Sequence, residues 1–451
     1  MTTQTERQSW SSRLAYILTV AGATVGFGAT WRFPYLVGEN GGGAYVFLFC
    51  IAMIVIGIPM ILVENVIGRR MRVNAIDAFS GTANGKKIHS GWKILGYMGL
   101  LGSFGILAYY MVLGGWVLNY IGGFISGGLD ISSPVTVETT SSYFQKSIFN
   151  SPVNIMIYTG LFVAVNYFIL AKGIVDGIER SVKYLMPLLF IFLMIMVVRN
   201  ITLPGAMEGI KFYLMPDFSK ITPKLFVFVL GQVFFALSLG FGVLITLSSY
   251  LDKKENLVKT ATITGVLNTV IALLAGFMIF PSLFSFGIAP NSGPTLVFQS
   301  LPIVFSNMWG GTAFAIIFFS LLIVAALTTS LTICEVIITA LQEKTKISRK
   351  AAILITLVAI FVFGNIPSIL GDSEWKDIRI MGRSIFDAFD YISGNILFIL
   401  TALGSAIFVG FILKDEAKEE LNTHKGLTAI WFNYVKYVIP VIILVIFYSS
   451  L

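Results

Sequence analysis

GATVGFGATWRFPYLVGENGGG, residues 22–43, decides the reading of this chain. The stretch begins inside an apolar segment long enough to span a bilayer, yet it carries Gly26, Gly28, Arg32 and Pro34. A passive anchor has no use for them. Each glycine costs a helix interior about 1 kcal/mol relative to alanine, and an arginine near membrane depth costs about 2.5 to 3.5 kcal/mol. Broken backbone at that depth is tolerated where it lines a cavity. In transporters, broken helices form the midplane site for substrate and coupling ion. The stretch therefore predicts a solute transporter.

Composition agrees. Of 451 residues, 56% are hydrophobic and only 12% charged, against about 25% charged in soluble domains. This predicts an all-α, multi-pass membrane protein with the lipid bilayer as its surroundings. The first thirteen residues are polar and lead straight into a full-length span, which is not the pattern of a cleaved signal peptide. Cys50 and Cys334 both fall in apolar spans, so no disulfide framework is expected. His89 and His424 lie in loops, which excludes a His-rich metal centre. The net charge of +8 is concentrated in one set of loops and requires no nucleic-acid partner. No nucleophile–base pair, metal cluster or phosphate loop is present, so the chain is not read as an enzyme.

Apolar stretches of about 20 residues mark membrane helices. Eleven are expected: 14–37, 43–68, 94–126, 152–171, 178–199, 224–250, 259–286, 309–341, 350–369, 384–413 and 427–449. Arg69, Arg70, Arg72, Lys86, Lys87 and Lys93 follow the second. Lys253, Lys254 and Lys259 follow the sixth, and Lys344, Lys346, Arg349 and Lys350 the eighth. These loops share a side with the N-terminus, which the positive-inside rule places in the cytoplasm of a plasma (cell inner) membrane. A second broken span reads GQVFFALSLGFG, residues 231–242. Two five-helix sets, each opening on a broken helix, are the signature of an inverted repeat. One transporter domain over 1–451 is expected, with repeats at 14–200 and 224–413 and an eleventh helix in 427–451.

At these residues the chain resembles the neurotransmitter:sodium symporter family, sodium-coupled carriers of the LeuT fold. The resemblance rests on WRFPYLVGENGGGAY (31–45), GIPMILVENVIGRR (57–70), GIERSVKYLMP (177–187), GQVFFALSLGFG (231–242), LTTS (327–330) and the Asp390-Tyr391 pair. It implies a 5+5 inverted repeat with helices 1 and 6 broken. The length resembles the shorter bacterial members, which lack a twelfth helix.

A broken helix exposes N–H groups at one new end and C=O groups at the other, which suits a zwitterionic amino acid. By resemblance, Gly28 and neighbouring N–H groups hold the substrate carboxylate, with the Tyr110 hydroxyl. Carbonyls around Thr24, Phe235 and Ala236, and the Ser238 side chain, meet the ammonium. Ile106, Phe235, Phe241, Thr329, Thr332 and Ile333 line the side-chain pocket. Monoamine carriers of the family place an aspartate at the position of Gly26. Glycine there implies a substrate that brings its own carboxylate, and the apolar lining implies a neutral hydrophobic or aromatic one.

For the coupling ion Na+, the resemblance implies a complete second site. It draws on Gly22, Val25 and Ala325 carbonyls with Thr328 and Thr329 hydroxyls. The first site retains Thr24 and Asn268 but has Ala29 and Ala236 where the family has oxygen-bearing side chains. Phe49, Ala236 and Ala272 likewise depart from the chloride pocket, leaving Gln232, so no chloride is expected. Arg32 and Asp390 are the implied outer gate. Arg7 and Glu343, with Trp10, Ser249 and Tyr250, are the inner one, while Gly177 and Pro187 resemble a device for local unwinding. A monomer or loose dimer is expected. A carrier for amines, betaine or taurine, or a low-flux amino-acid sensor, are the alternatives.

Overall fold

The computed structural model describes residues 10–290, 296–421 and 423–450. The first span is two helices, α1 (Arg13–Thr24) and α2 (Gly28–Glu39), bent by 50° at the break. The continuous spans are α3 (Gly43–Met71), α4 (Ser90–Ser126), α5 (Pro152–Leu170) and α6 (Ile174–Ile201). A short helix, α7 (Ala206–Leu214), precedes the second break, which separates α8 (Pro223–Ala236) from α9 (Val243–Ser248). Then come α10 (Leu257–Ser285), the short α11 (Leu296–Ser306), α12 (Gly311–Thr345), α13 (Arg349–Gly371), α14 (Ile385–Leu413) and α15 (Lys425–Ser449).

Among the described residues, nine helices are long and apolar enough to cross a membrane, ten with the bent pair α1–α2. The expected count of eleven exceeds this because 224–250 is not one long helix. Six residues, 237–242, interrupt it, and neither α8 nor α9 reaches spanning length.

Local chemistry sets these boundaries. Ser12, Thr222, Asn256, Ser348 and Ser384 cap helix starts through their side-chain oxygens, offsetting orphan N–H groups at each N-terminus. The α8–α9 break contains Ser238, Gly240 and Gly242, all at positive φ (53°, 83° and 75°). That conformation ends an α-helix. A Cβ on Gly240 would overlap the Phe398 backbone on α14, so glycine is needed there for close approach as well. α4 and α12 pack along one another, and α1 lies against α12 and α10. Both breaks are thereby enclosed by long straight helices.

Candidate functional site

The two breaks are tied to each other. Ser238 Oγ donates to the Ala23 carbonyl at 3.1 Å. Gln232 Nε2 donates to the Gly28 carbonyl at 2.8 Å. Asn268 Nδ2, from α10, reaches the Thr24 carbonyl (2.9 Å) and the Ala236 carbonyl (3.2 Å). Carbonyls that each break frees are thus collected by side chains of neighbouring helices, which is how irregular backbone survives away from water.

Between the breaks lies a small cavity of about 10 Å³, room for about one water in this conformation. Thr24, Gly26, Gly28 and Ser238 supply its backbone-rich wall. Ile106, Tyr110, Phe235, Phe241, Thr329 and Ile333 supply the rest, together with Ala23, which the sequence reading missed. Two expected residues do not line it. The Ala236 carbonyl is turned to Asn268, and Thr332 donates its hydroxyl back to the Thr329 carbonyl at 2.8 Å. The Ser238 hydroxyl gives its proton to the Ala23 carbonyl and keeps its lone pairs as acceptors. The Tyr110 hydroxyl accepts from the Phe27 N–H at 3.1 Å, so it stands at the N-terminal end of α2. A Cβ on Gly26 would overlap both Tyr110 Oη and Thr329 Oγ1, so no side chain fits at that position.

Beside the cavity, Thr329 Oγ1 donates to the Gly22 carbonyl (2.9 Å) and Thr328 Oγ1 to the Ala325 carbonyl (3.0 Å). Val25 is the C-cap of α1, at the broken end. This donor set is neutral and all oxygen, the kind a hard cation takes. It is also buried, and a hydroxyl proton can rotate away to free a lone pair. The Thr24–Asn268 region is poorer. Thr24 Oγ1 is spent on the Val20 and Ala21 carbonyls, and Ala29 and Ala236 offer no side-chain oxygen. Asn268 Oδ1, however, is buried without a hydrogen-bond partner. A buried orphan acceptor of this kind calls for an ion or water, so the region retains one unspent oxygen.

On the outer side, Arg32 stands 4.0 Å from Asp390 and its guanidinium lies 4.2 Å from the Phe235 ring centre. Asp390 accepts a 2.6 Å hydrogen bond from Tyr109, a partner the sequence reading missed although it adjoins Tyr110. On the inner side, Arg7 lies outside the described residues. Glu343 accepts from the Asn74 backbone (2.9 Å) and side chain (2.8 Å). Trp10 Nε1 donates to the Leu247 carbonyl at 3.0 Å, and its ring meets Tyr250 edge-on. The deepest inner contact was not foreseen. Glu335 is fully buried, pairs with Arg349 at 2.7 Å, and accepts from Thr339 (2.9 Å) and Tyr250 (3.3 Å). Its sequence signal was a carboxylate inside an apolar span, which by default marks a functional site. Gly177 sits in a π-turn at the start of α6 where a Cβ would overlap the Ile169 carbonyl, and Pro187 lies within α6.

The family model described as the sodium:neurotransmitter symporter family matches residues 7–132 and 136–451. The chain is 73% identical to an uncharacterized sodium-dependent transporter of Haemophilus influenzae, over 100% of this chain and 99% of that one. It is 37% identical to the sodium-dependent transporter YhdH of Bacillus subtilis, over 97% and 96%. Among solved structures it is similar to MhsT in complex with L-phenylalanine, a LeuT-fold transporter, with a TM-score of 0.89 and 36% identity over 99% of this chain and 100% of that one. The broken helices, the oxygen-lined pocket between them and these matches make the chain a member of the sodium:neurotransmitter symporter family, a multi-pass, sodium-dependent membrane transporter of a small molecule rather than an enzyme.

Proposed function

We propose that the chain imports a neutral hydrophobic or aromatic L-amino acid by alternating access, coupled to sodium mainly through the Gly22–Val25–Ala325–Thr328–Thr329 site and without chloride. The observation that carries this reading is the closure around Gly26. Tyr110 and Thr329 leave no room for a side chain there, so the protein supplies no carboxylate of its own and the substrate must. The apolar faces of Ile106, Phe235, Phe241 and Ile333 favour an apolar side chain. The phenylalanine in the MhsT complex is a ligand of that kind.

Chloride independence is supported by the fate of Gln232. One of its two amide N–H groups is used on Gly28, and Phe49, Ala236 and Ala272 carry no side-chain donor for an anion. Residues 14–200 and 224–413 are the two repeats, the N-terminus faces the cytoplasm, and the membrane is the plasma membrane. Clustering of Lys and Arg in the N-terminal-side loops supports that orientation.

Uptake of radiolabelled leucine, tyrosine and tryptophan into proteoliposomes, with external sodium varied, tests the proposal. Sodium-dependent uptake with a Hill coefficient near one, indifferent to chloride replacement, is expected. A coefficient near two would mean that the Thr24–Asn268 region also holds sodium. Uptake indifferent to sodium, or confined to amines, would overturn the proposal.

A further inference from the structure

The loop between α3 and α4 folds into a small hairpin, Thr82–Ala83 paired with Lys86–Lys87. Its turn is Asn84-Gly85, both at positive φ (49° and 73°), the conformation that two-residue hairpin turns require. The hairpin is clamped to the end of α14. Asn84 Nδ2 donates to the Ile412 (3.2 Å) and Leu413 (2.9 Å) carbonyls, and its N–H donates to Glu416 at 2.7 Å. Glu416 is held in turn by Arg70 at 2.9 Å. Asn84 therefore caps the orphan carbonyls at the end of a membrane helix, and Lys86 and Lys87 are carried on a fixed support.

Between the hairpin, the start of α4 and the end of α14 lies a cleft of about 380 Å³. Lys86, Lys87 and Lys414 stand around it, with Trp92 and Phe411 as aromatic walls. Nearby carboxylates are engaged elsewhere. Glu416 takes Arg70, Asp415 takes Lys418 (2.9 Å), and Asp77 takes Lys93 and Lys344 (2.7 Å each). None of the three cleft lysines has an ion pair among the described residues. Beside the cleft, the exposed rings of Phe411 and Tyr437 (44% and 59% exposed) meet edge-on, 6.4 Å between centres, and Ile94, two residues beyond the cleft wall at Trp92, is 58% exposed. Lys436 lies over the same two rings, 5.1 Å from that of Phe411 and 5.0 Å from that of Tyr437.

We propose that this cleft binds the headgroup of an anionic phospholipid. Its phosphate would sit among Lys86, Lys87 and Lys414, and its acyl chains along Ile94, Phe411 and Tyr437. The positive-inside rule accounts for lysines in these loops. It does not account for three uncompensated ammonium groups gathered in a concave, aromatic-walled site at the edge of the lipid-facing surface, which is the form of a basic headgroup pocket. A lipid so held would join the start of α4 to the end of α14 and stiffen the hairpin between them.

Native mass spectrometry of the full chain in detergent tests this, and it does not depend on transport or on orientation. With dioleoylphosphatidylglycerol and dioleoylphosphatidylcholine in competition, the unaltered protein is expected to retain one anionic lipid preferentially. The triple variant K86Q/K87Q/K414Q should lose that preference by at least about tenfold. K254Q/K259Q/K350Q, with the same loss of charge elsewhere on that side, should keep it. Equal loss in both triple variants would reduce the effect to net charge and overturn the proposal. So would retention in the first variant. Displacement of the lipid by an equal concentration of inorganic phosphate would also overturn it, by making the cleft a free-anion site.

Discussion

The two gates proposed for this transporter, an outer one at Arg32–Asp390 and an inner one around Glu335 and Glu343, are built differently. Outside, closure rests on a 4.0 Å ion pair between Arg32 and Asp390, one hydrogen bond from Tyr109, and the Phe235 ring beneath the guanidinium. Inside, closure is a connected network. The Glu335–Arg349 pair is bridged to Tyr250, Tyr250 packs on Trp10, Ser11 binds Glu179, and Glu343 binds Asn74. Arg32 and Arg349 are similarly exposed (21% and 22%), but Asp390 is 36% exposed and Glu335 only 1%. A partly exposed pair contributes about 1 kcal/mol or less, whereas stripping the cation from a buried carboxylate costs about 3 to 5 kcal/mol. The difference teaches that, with the gates and orientation proposed, this conformation would be locked on the inside and thinly latched on the outside.

The largest effect is expected from Arg349→Ala. It leaves the Glu335 carboxylate buried without its cation, at a cost of about 3 to 5 kcal/mol to the closed inner barrier. Cys334, adjacent and fully buried, reports the opening. Its alkylation by a small thiol reagent in inside-out vesicles should rise by at least about a hundredfold. Arg349→Ala with Glu335→Gln should recover part of the protection. Unchanged Cys334 reactivity would remove the inner network as the dominant lock.

A smaller loss is expected between the barriers. Thr329→Val strips the hydroxyl from the Gly22 carbonyl and from the proposed ion. About 2 kcal/mol is at stake, which should raise the sodium concentration for half-maximal uptake about thirtyfold. Asn268→Ala should have a weaker effect on sodium dependence. If the order of the two is reversed, the Thr24–Asn268 region is the principal coupling site.

Asp390→Asn sharpens the contrast from outside. It retains an acceptor for Tyr109 and removes a partly exposed charge, so the apparent substrate affinity should fall no more than about fivefold. A loss as large as that of Arg349→Ala would mean that the outer latch is as strong as the inner lock.

The smallest effect concerns pH. Burial tends to raise the Asp77 pKa, but hydrogen bonds from Lys344, Lys93 and Asn74 outweigh it and hold the carboxyl at about 2. A depressed carboxylate contributes stability above its unfolded pKa and loses it as pH falls toward the folded value. The inner face should therefore loosen modestly between about pH 4 and pH 2. Asp77→Asn should abolish that acid-dependent component of Cys334 exposure and raise the exposure at pH 7 to about the level the unaltered protein reaches near pH 2.

Much of this was legible in the residues. Gly26 and Gly28 beside Arg32 and Pro34 announced the first break, because those residue types are expensive in a plain span. Most of the cavity lining followed from the family motifs. What escaped was partnership. Nothing local to Tyr109 says that its hydroxyl meets Asp390, 281 positions away. Nothing local to Ser238 says that it spends its hydroxyl on Ala23. Glu335 was visible as a carboxylate in an apolar run, but its cation on the next helix was not.

The sequence by itself determined that this is a broken-helix membrane protein of the sodium:neurotransmitter symporter family. Hydrophobic runs, glycine cost and the side preference of basic loops are properties of residues in order. Only the tertiary structure decided which freed carbonyls remain available and which are taken by Asn268, Gln232 or Ser238. It alone decided that Gly26 has no room for a side chain, and that Glu335 is buried from water against the part-exposed Arg349. Hydrogen bonds and exclusions of that kind depend on atoms within about 3 Å of one another, and in this chain many of those atoms are brought together from distant segments, Ser238 meeting Ala23 across 215 positions and Thr329 meeting Gly22 across 307.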